Sequence, residues 1–206
     1  MQAIETVYNG YRFRSRLEAR WAVFFDAMGI KYQYEPEGFK GFNDIPYLPD
    51  FYLPDLDIYV EVKGSRQALI EDSEKIAAAI DFNSTPIAKK GLLILGDIPN
   101  PEKIEKSNIP MFYYLEWDEG IKLNFAAFVA IPGRPGYLAK GPKNIFKFCF
   151  CYPFKQTSSS YPDLPDSVYN LENMWTVESL IQHPYKRVKD AYTKARQARF
   201  EHGEKP

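Results

Sequence analysis

Apolar residues recur along the first third of the chain at two different spacings. From Ser15 onward Leu17, Trp21, Phe24, Phe25 and Met28 fall at i, i+4, i+7, i+8 and i+11, one stripe of a helix that Gly29 ends. Before it, Asn9-Gly10 between apolar and aromatic flanks predicts a tight hairpin. After it, KYQYEPEGF alternates as a strand, Ile45–Leu53 and Asp57–Lys63 read as a second hairpin, and Gln67–Phe82 reads as a helix. GLLILG at 91–96 and PMFYYLEW at 110–117 are short apolar runs bounded by Gly or Pro, as expected of central strands covered by helices. The pattern predicts an α/β fold with a mixed central sheet flanked by helices.

Beyond Trp117 the composition shifts. PGRPGYLAKGPK at 132–143 and QTSSSYPDLPD at 156–166 read as loops, and a helix from about Pro184 to His202 closes the chain. The expected division is a core over 1–115 and an irregular extension over 116–206 that ends in a helix.

At 206 residues with 45% hydrophobic content the chain can bury a real core. No apolar run approaches the ~20 residues of a membrane span, and the opening Met-Gln-Ala-Ile-Glu lacks the basic and apolar regions of a signal peptide. A cytoplasmic protein without membrane contact is expected. The net charge of -1 excludes a uniformly basic nucleic-acid binder. Local patches still qualify: Arg12, Arg14, Arg16 and Arg20 near one end, and a C-terminal cluster including Lys186, Lys189, Arg196 and Arg199. If the final segment is helical, those four C-terminal cations share an arc opposite Val188, Ala191, Ala195 and Ala198. Pairing with local acids is the competing role for the arginines. Cys149 and Cys151 with His183 and His202 have the wrong spacing for a zinc site, so reduced thiols are expected.

The chemistry concentrates in YLPDFYLPDLDIYVEVKG at 47–64. A two-residue turn at Pro54-Asp55 would pair Leu53 with Leu56, setting Asp50 opposite Tyr59 and diagonal to Glu61. Asp50, Glu61 and Lys63 then share one face, with Phe51, Leu53, Ile58, Val60 and Val62 on the other. Two carboxylates in that relation can close on one hard cation. The bland alternative is that Glu61 and Lys63 lie on the wet face of an amphipathic strand.

Pro49-Asp50, ten intervening residues and Glu61-Val62-Lys63 together resemble the signature of the PD-(D/E)xK phosphodiesterase superfamily, the restriction-endonuclease-like fold of many nucleases. GYRFRSRLEARWAVFFDAMGIKYQYEPEGF is similar to the opening of phage and bacterial nuclease-like proteins of that superfamily, and AYTKARQARFEHG to their tail. The resemblance implies Mg2+-dependent hydrolysis of DNA, with Mn2+ able to substitute. Asp50, Glu61 and the Val62 carbonyl would be metal ligands, and Lys63 would stabilise charge on the phosphate. Glu18 matches the acidic position on the first helix, although Ser15-x-x-Glu18 is equally a capping box. Gln67 stands where some members place a supporting glutamine. A homodimer is implied if one site per chain is to cut both strands. The alternative is a nuclease-derived module that kept the fold and only binds nucleic acid or protein, such as an anti-defence or regulatory factor.

Overall fold

The computed structural model describes residues 4–81, 85–104, 110, 112–117, 120–130, 136–141, 149–150 and 184–200. The chain opens with β1 (Thr6–Tyr8) and β2 (Tyr11–Phe13), an antiparallel hairpin around Asn9 and Gly10, whose positive φ angles suit those two residues. Helix α1 (Arg16–Met28) follows, capped by the Ser15 side chain and stopped by Gly29 in the left-handed region. Next come β3 (Gln33–Tyr34), β4 (Phe39–Lys40), a 3-10 turn (Phe42–Asp44), β5 (Pro46–Tyr47), β6 (Phe51–Leu53) and β7 (Ile58–Val62). Three helices, α2 (Arg66–Glu71), α3 (Ser73–Ile80) and α4 (Pro86–Lys90), lead to β8 (Leu92–Leu95). The remainder comprises a second 3-10 turn (Pro101–Lys103), β9 (Phe112–Trp117), β10 (Ile121–Ala130), β11 (Gly136–Gly141), β12 (Cys149–Phe150) and α5 (Pro184–Gln197).

One sheet organises the molecule, in the order β12-β11-β10-β9-β8-β7-β6-β3. Among the described residues β7 and β8 are its parallel pair and the other pairings are antiparallel. The mixed α/β expectation holds at that level. β7 is buried at all five residues because helices cover both faces of the sheet. On one face Phe51, Leu53, Ile58, Val60 and Val62 join Trp21, Phe24 and Phe25 of α1 and Tyr192 of α5. On the other, Tyr59, Leu92 and Ile94 meet Ile76 and Ile80 of α3 and Ile87 of α4. Gly91 takes φ +85°, and a Cβ there would strike the Tyr114 hydroxyl, so only glycine admits this join of α4 to β8.

Several expected elements differ. The strand read over KYQYEPEGF is two short pieces, because Glu35 adopts φ +44° and turns the chain away after Tyr34. Ile45–Leu53 is likewise split: β5 leaves the main sheet to pair with β4, and the chain re-enters at Phe51. The helix expected over Gln67–Phe82 breaks at Asp72. The Pro54-Asp55 turn is a four-residue loop ending at Asp57, φ +51°, which sets Leu53 opposite Ile58. The irregular extension is corrected most. β10 and β11 continue the same sheet, so PGRPGYLAKGPK contains a strand, and the expected division at residue 115 falls inside β9. The final helix ends at Gln197 rather than His202. Cys151, His183, His202 and the expected loop at 156–166 lie outside the described residues.

Candidate functional site

Adding two residues to the hairpin loop preserves the parity of the ladder, so the faces assigned from the sequence survive while the register shifts. One step beyond the Phe51–Val60 pair, Asp50 comes opposite Glu61 rather than opposite Tyr59. Pro49 has no N–H to continue the ladder, and at this bend the Asp50 carboxylate accepts the Val62 N–H at 2.7 Å. Both acids are buried, Asp50 to 4% exposure and Glu61 to 5%, and the Lys63 side chain to 16%. This excludes the wet-face alternative. The residues stand at the C-terminal end of β7, beside the end of its parallel neighbour β8, where open α/β sheets offer a crevice for ligands.

Each charge in the cluster has a partner. Lys63 Nζ lies 2.7 Å from Glu61 Oε1 and 2.7 Å from Asp72 Oδ2. The Tyr47 hydroxyl donates to Glu61 Oε2 at 2.7 Å. Arg14 reaches Asp50 Oδ1 at 2.9 Å and Glu35 at 2.6 Å. Burial, then the negative charges of Glu61 and Glu18, push the Asp50 carboxyl well above its ordinary pKa, against the opposing pull of Val62 N–H and Arg14. Burial alone would lower the Lys63 ammonium; Glu61 and Asp72 outweigh it and raise its pKa. The Tyr47 phenol is raised by burial and by Glu61.

Glu18 is buried at the start of α1, close enough for its charge to act on Asp50. Its carboxylate accepts from the Ser15 hydroxyl (2.6 Å), the Tyr34 hydroxyl (2.6 Å) and the Arg14 N–H (3.1 Å), while its own N–H donates to Ser15 Oγ. The capping relation is therefore realised. Gln67 is exposed and bonds Glu71 one turn along α2, with no contact to the acids. Arg12 is exposed and paired with Glu5; Arg16 and Arg20 are half-buried on α1. Val188, Ala191 and Ala195 on α5, and Ala198 just past its end, are buried as the spacing predicts. Of the four cations, Lys186 pairs with Asp190 one turn along and Arg196 donates to the distant Ile98 carbonyl, whereas Lys189 is half-buried and Arg199, past the end of the helix, is exposed.

Sequence reasoning missed Tyr34, Glu35, Tyr47 and Asp72. Asp72-Ser73-Glu74 did carry a signal, since an Asp followed by acid in a first turn marks a helix start inside the run taken as one helix. Tyr47 had none: its approach to Glu61 depends on the detour through β4 and β5. Lys63 also lines a groove of about 750 Å³, walled by α2 and α3 on one side and by β8 to β10 on the other.

Whether a divalent ion suits this place is a question about donors. Among the described residues no group of three or more His, Cys, Asp or Glu side chains is arranged to hold a metal ion. Mg2+ asks for less, because it keeps several waters and takes one or two carboxylates plus substrate oxygens. Two buried acids brought opposite each other, with the Asp50 carboxyl pushed up by burial and by the negative charges of Glu61 and Glu18, are a donor set that a dication would relieve. Also among the described residues, no helix is long and apolar enough to cross a membrane. Compared with known proteins, the chain matches no family model, no curated protein and no solved structure, so the assignment of this site rests on its geometry.

Proposed function

We propose that the protein is a metal-dependent nuclease hydrolysing DNA phosphodiester bonds on a restriction-endonuclease-like core. The carrying observation is the burial of Asp50 and Glu61 opposite one another at the end of β7, with Lys63 against Glu61. The order of α1, the antiparallel strands β3, β6 and β7, a helical crossover and the parallel strand β8 supports that core.

Asp50, Glu61 and the Val62 carbonyl would hold Mg2+ or Mn2+. When bound, such an ion supplies Lewis-acid polarisation of the phosphate and makes water a nucleophile near neutral pH. The chain's own residues do the rest. The Lys63 ammonium, kept protonated by its two acids, offsets negative charge growing on the phosphate. Tyr47 fixes one oxygen of Glu61 and so orients the carboxylate. Arg14, with its side chain 55% exposed, can exchange Asp50 for a backbone phosphate of the substrate. Lys189 and Arg199 offer further phosphate contacts.

The saturation of Asp50 and Glu61 by Arg14, Lys63 and Tyr47 favours a second reading, a binding module of nuclease descent that needs no metal. Incubation of the purified chain with linear, circular and branched DNA decides between them. The nuclease cuts in Mg2+ or Mn2+ and stops in chelator; binding without cleavage under every condition would overturn the first reading.

A further inference from the structure

We infer that Asp72 is a positioning residue that holds the Lys63 ammonium against Glu61, an inference that deepens the nuclease reading and rests on it for its catalytic consequence. Three observations at one residue point the same way. First, Asp72 interrupts what the apolar spacing makes a continuous helix, ending α2 and starting α3 with φ -96° and ψ 6°. Second, Asp72 occupies the N-cap of α3, where an Asp side chain ordinarily accepts a backbone N–H, yet its carboxylate makes no capping bond. It turns instead to Lys63 (2.7 Å) and Lys75 (3.1 Å). Third, Lys63 Nζ is bracketed by Glu61 and Asp72 at equal distance.

The bracket matters because a lysine is a point charge on four rotatable bonds, and one partner leaves it free to swing. Glu61 is itself expected to turn to another cation when the site is loaded. Asp72 then becomes the anchor that keeps the ammonium beside the phosphate. Helix α3 contributes rigidity, since Ile76, Ala79 and Ile80 fix it to the sheet face beneath. Lys75, exposed one turn along, pairs with the other Asp72 oxygen and leaves Oδ2 for Lys63.

The test uses the full chain with Asp72→Asn, Asp72→Glu and Lys75→Met, each checked for folding by circular dichroism. The first readout is the nitrogen NMR signal of the Lys63 ammonium at one fixed pH, which is independent of cleavage. Asp72→Asn should shift and broaden it, Asp72→Glu should restore it, and Lys75→Met should leave it unchanged. The second readout is kinetic. Asp72→Asn should lower kcat by on the order of 10- to 100-fold with KM within about twofold, because misplacement costs turnover rather than substrate binding. Asp72→Glu should recover most of it. An unmoved Lys63 signal in a folded Asp72→Asn protein overturns the inference, and so does Lys75→Met shifting that signal as strongly. If the parent chain cuts no substrate the nuclease reading falls by itself, and the Lys63 signal still decides what Asp72 holds.

Discussion

Replacing Arg14 with methionine isolates the electrostatics at the centre of the site. The Asp50 carboxylate is 4% exposed and is met by the Arg14 guanidinium at 2.9 Å and the Val62 N–H at 2.7 Å. Removing one partner of a fully buried ion pair costs about 3–5 kcal/mol, because the other charge is stranded. Here the Arg14 side chain is 55% exposed, so water screens part of the pair and the loss falls to about 1–2 kcal/mol. For a chain of this length that lowers Tm by roughly 2–8 °C. Urea unfolding in chelator, followed by circular dichroism, measures it for the parent, Arg14→Met, Asp50→Asn and the double variant. Arg14 also pairs with Glu35, whose side chain is 29% exposed, and a Glu35→Gln background removes that contribution. If Asp50 is the origin, Arg14→Met costs only a few tenths of a kcal/mol in the Asp50→Asn background, a coupling of about 1 kcal/mol or more. Equal losses in both backgrounds would refute the reasoning. The metal reading adds a second sign. Mn2+ should stabilise Arg14→Met more than the parent, because the guanidinium and the ion compete for the same carboxylate.

Asp50→Ala and Lys63→Ala should fail differently: the first loses both Mn2+ affinity by calorimetry and cleavage, while the second keeps metal binding and drops turnover by about 100-fold or more. Truncating the final helix is a poor probe of nucleic-acid contact, since Val188, Ala191, Tyr192 and Ala195 are core residues. Lys189→Glu with Arg199→Glu should instead weaken DNA binding and flatten its salt dependence by about two units in slope while leaving Tm within a few degrees; an unchanged slope removes this face from the interface. At alkaline pH burial pushes Tyr32 up to about 12, and burial raises Tyr8 and Tyr34 as well. The folded chain therefore keeps protons that the unfolded chain gives up, so stability is full below about pH 10 and falls as pH rises toward 12. Ultraviolet absorbance of phenolate beside circular dichroism checks this, and full ionisation in a still-folded protein near pH 10 would contradict it.

Local rules were enough wherever the chain's own neighbours set the geometry. Asn9-Gly10 dictates the β1–β2 turn, Ser15 and Gly29 bound α1, and the stripe from Trp21 to Met28 names the face that enters the core. The alternation of apolar residues along β7 fixes which side chains share a face, and it survives a loop two residues longer than expected because parity has a period of two. Register is another matter. Asp57 takes a left-handed φ, and its carboxylate receives the Tyr52 hydroxyl and Lys90, partners from a neighbouring strand and from α4 that no local pattern announces. The same holds for β10 and β11. Their Gly- and Pro-rich surroundings read as loop, yet their backbone donors find acceptors on β9 and on each other once the sheet exists. So the sequence by itself determined which residues carry charge on the inner hairpin and which helix face is apolar, because those follow from spacing along one element. Only the tertiary structure decided that Asp50 meets Arg14, that Glu61 meets Tyr47 and that Lys63 is shared with Asp72, because each contact joins residues from separate elements that packing brings together.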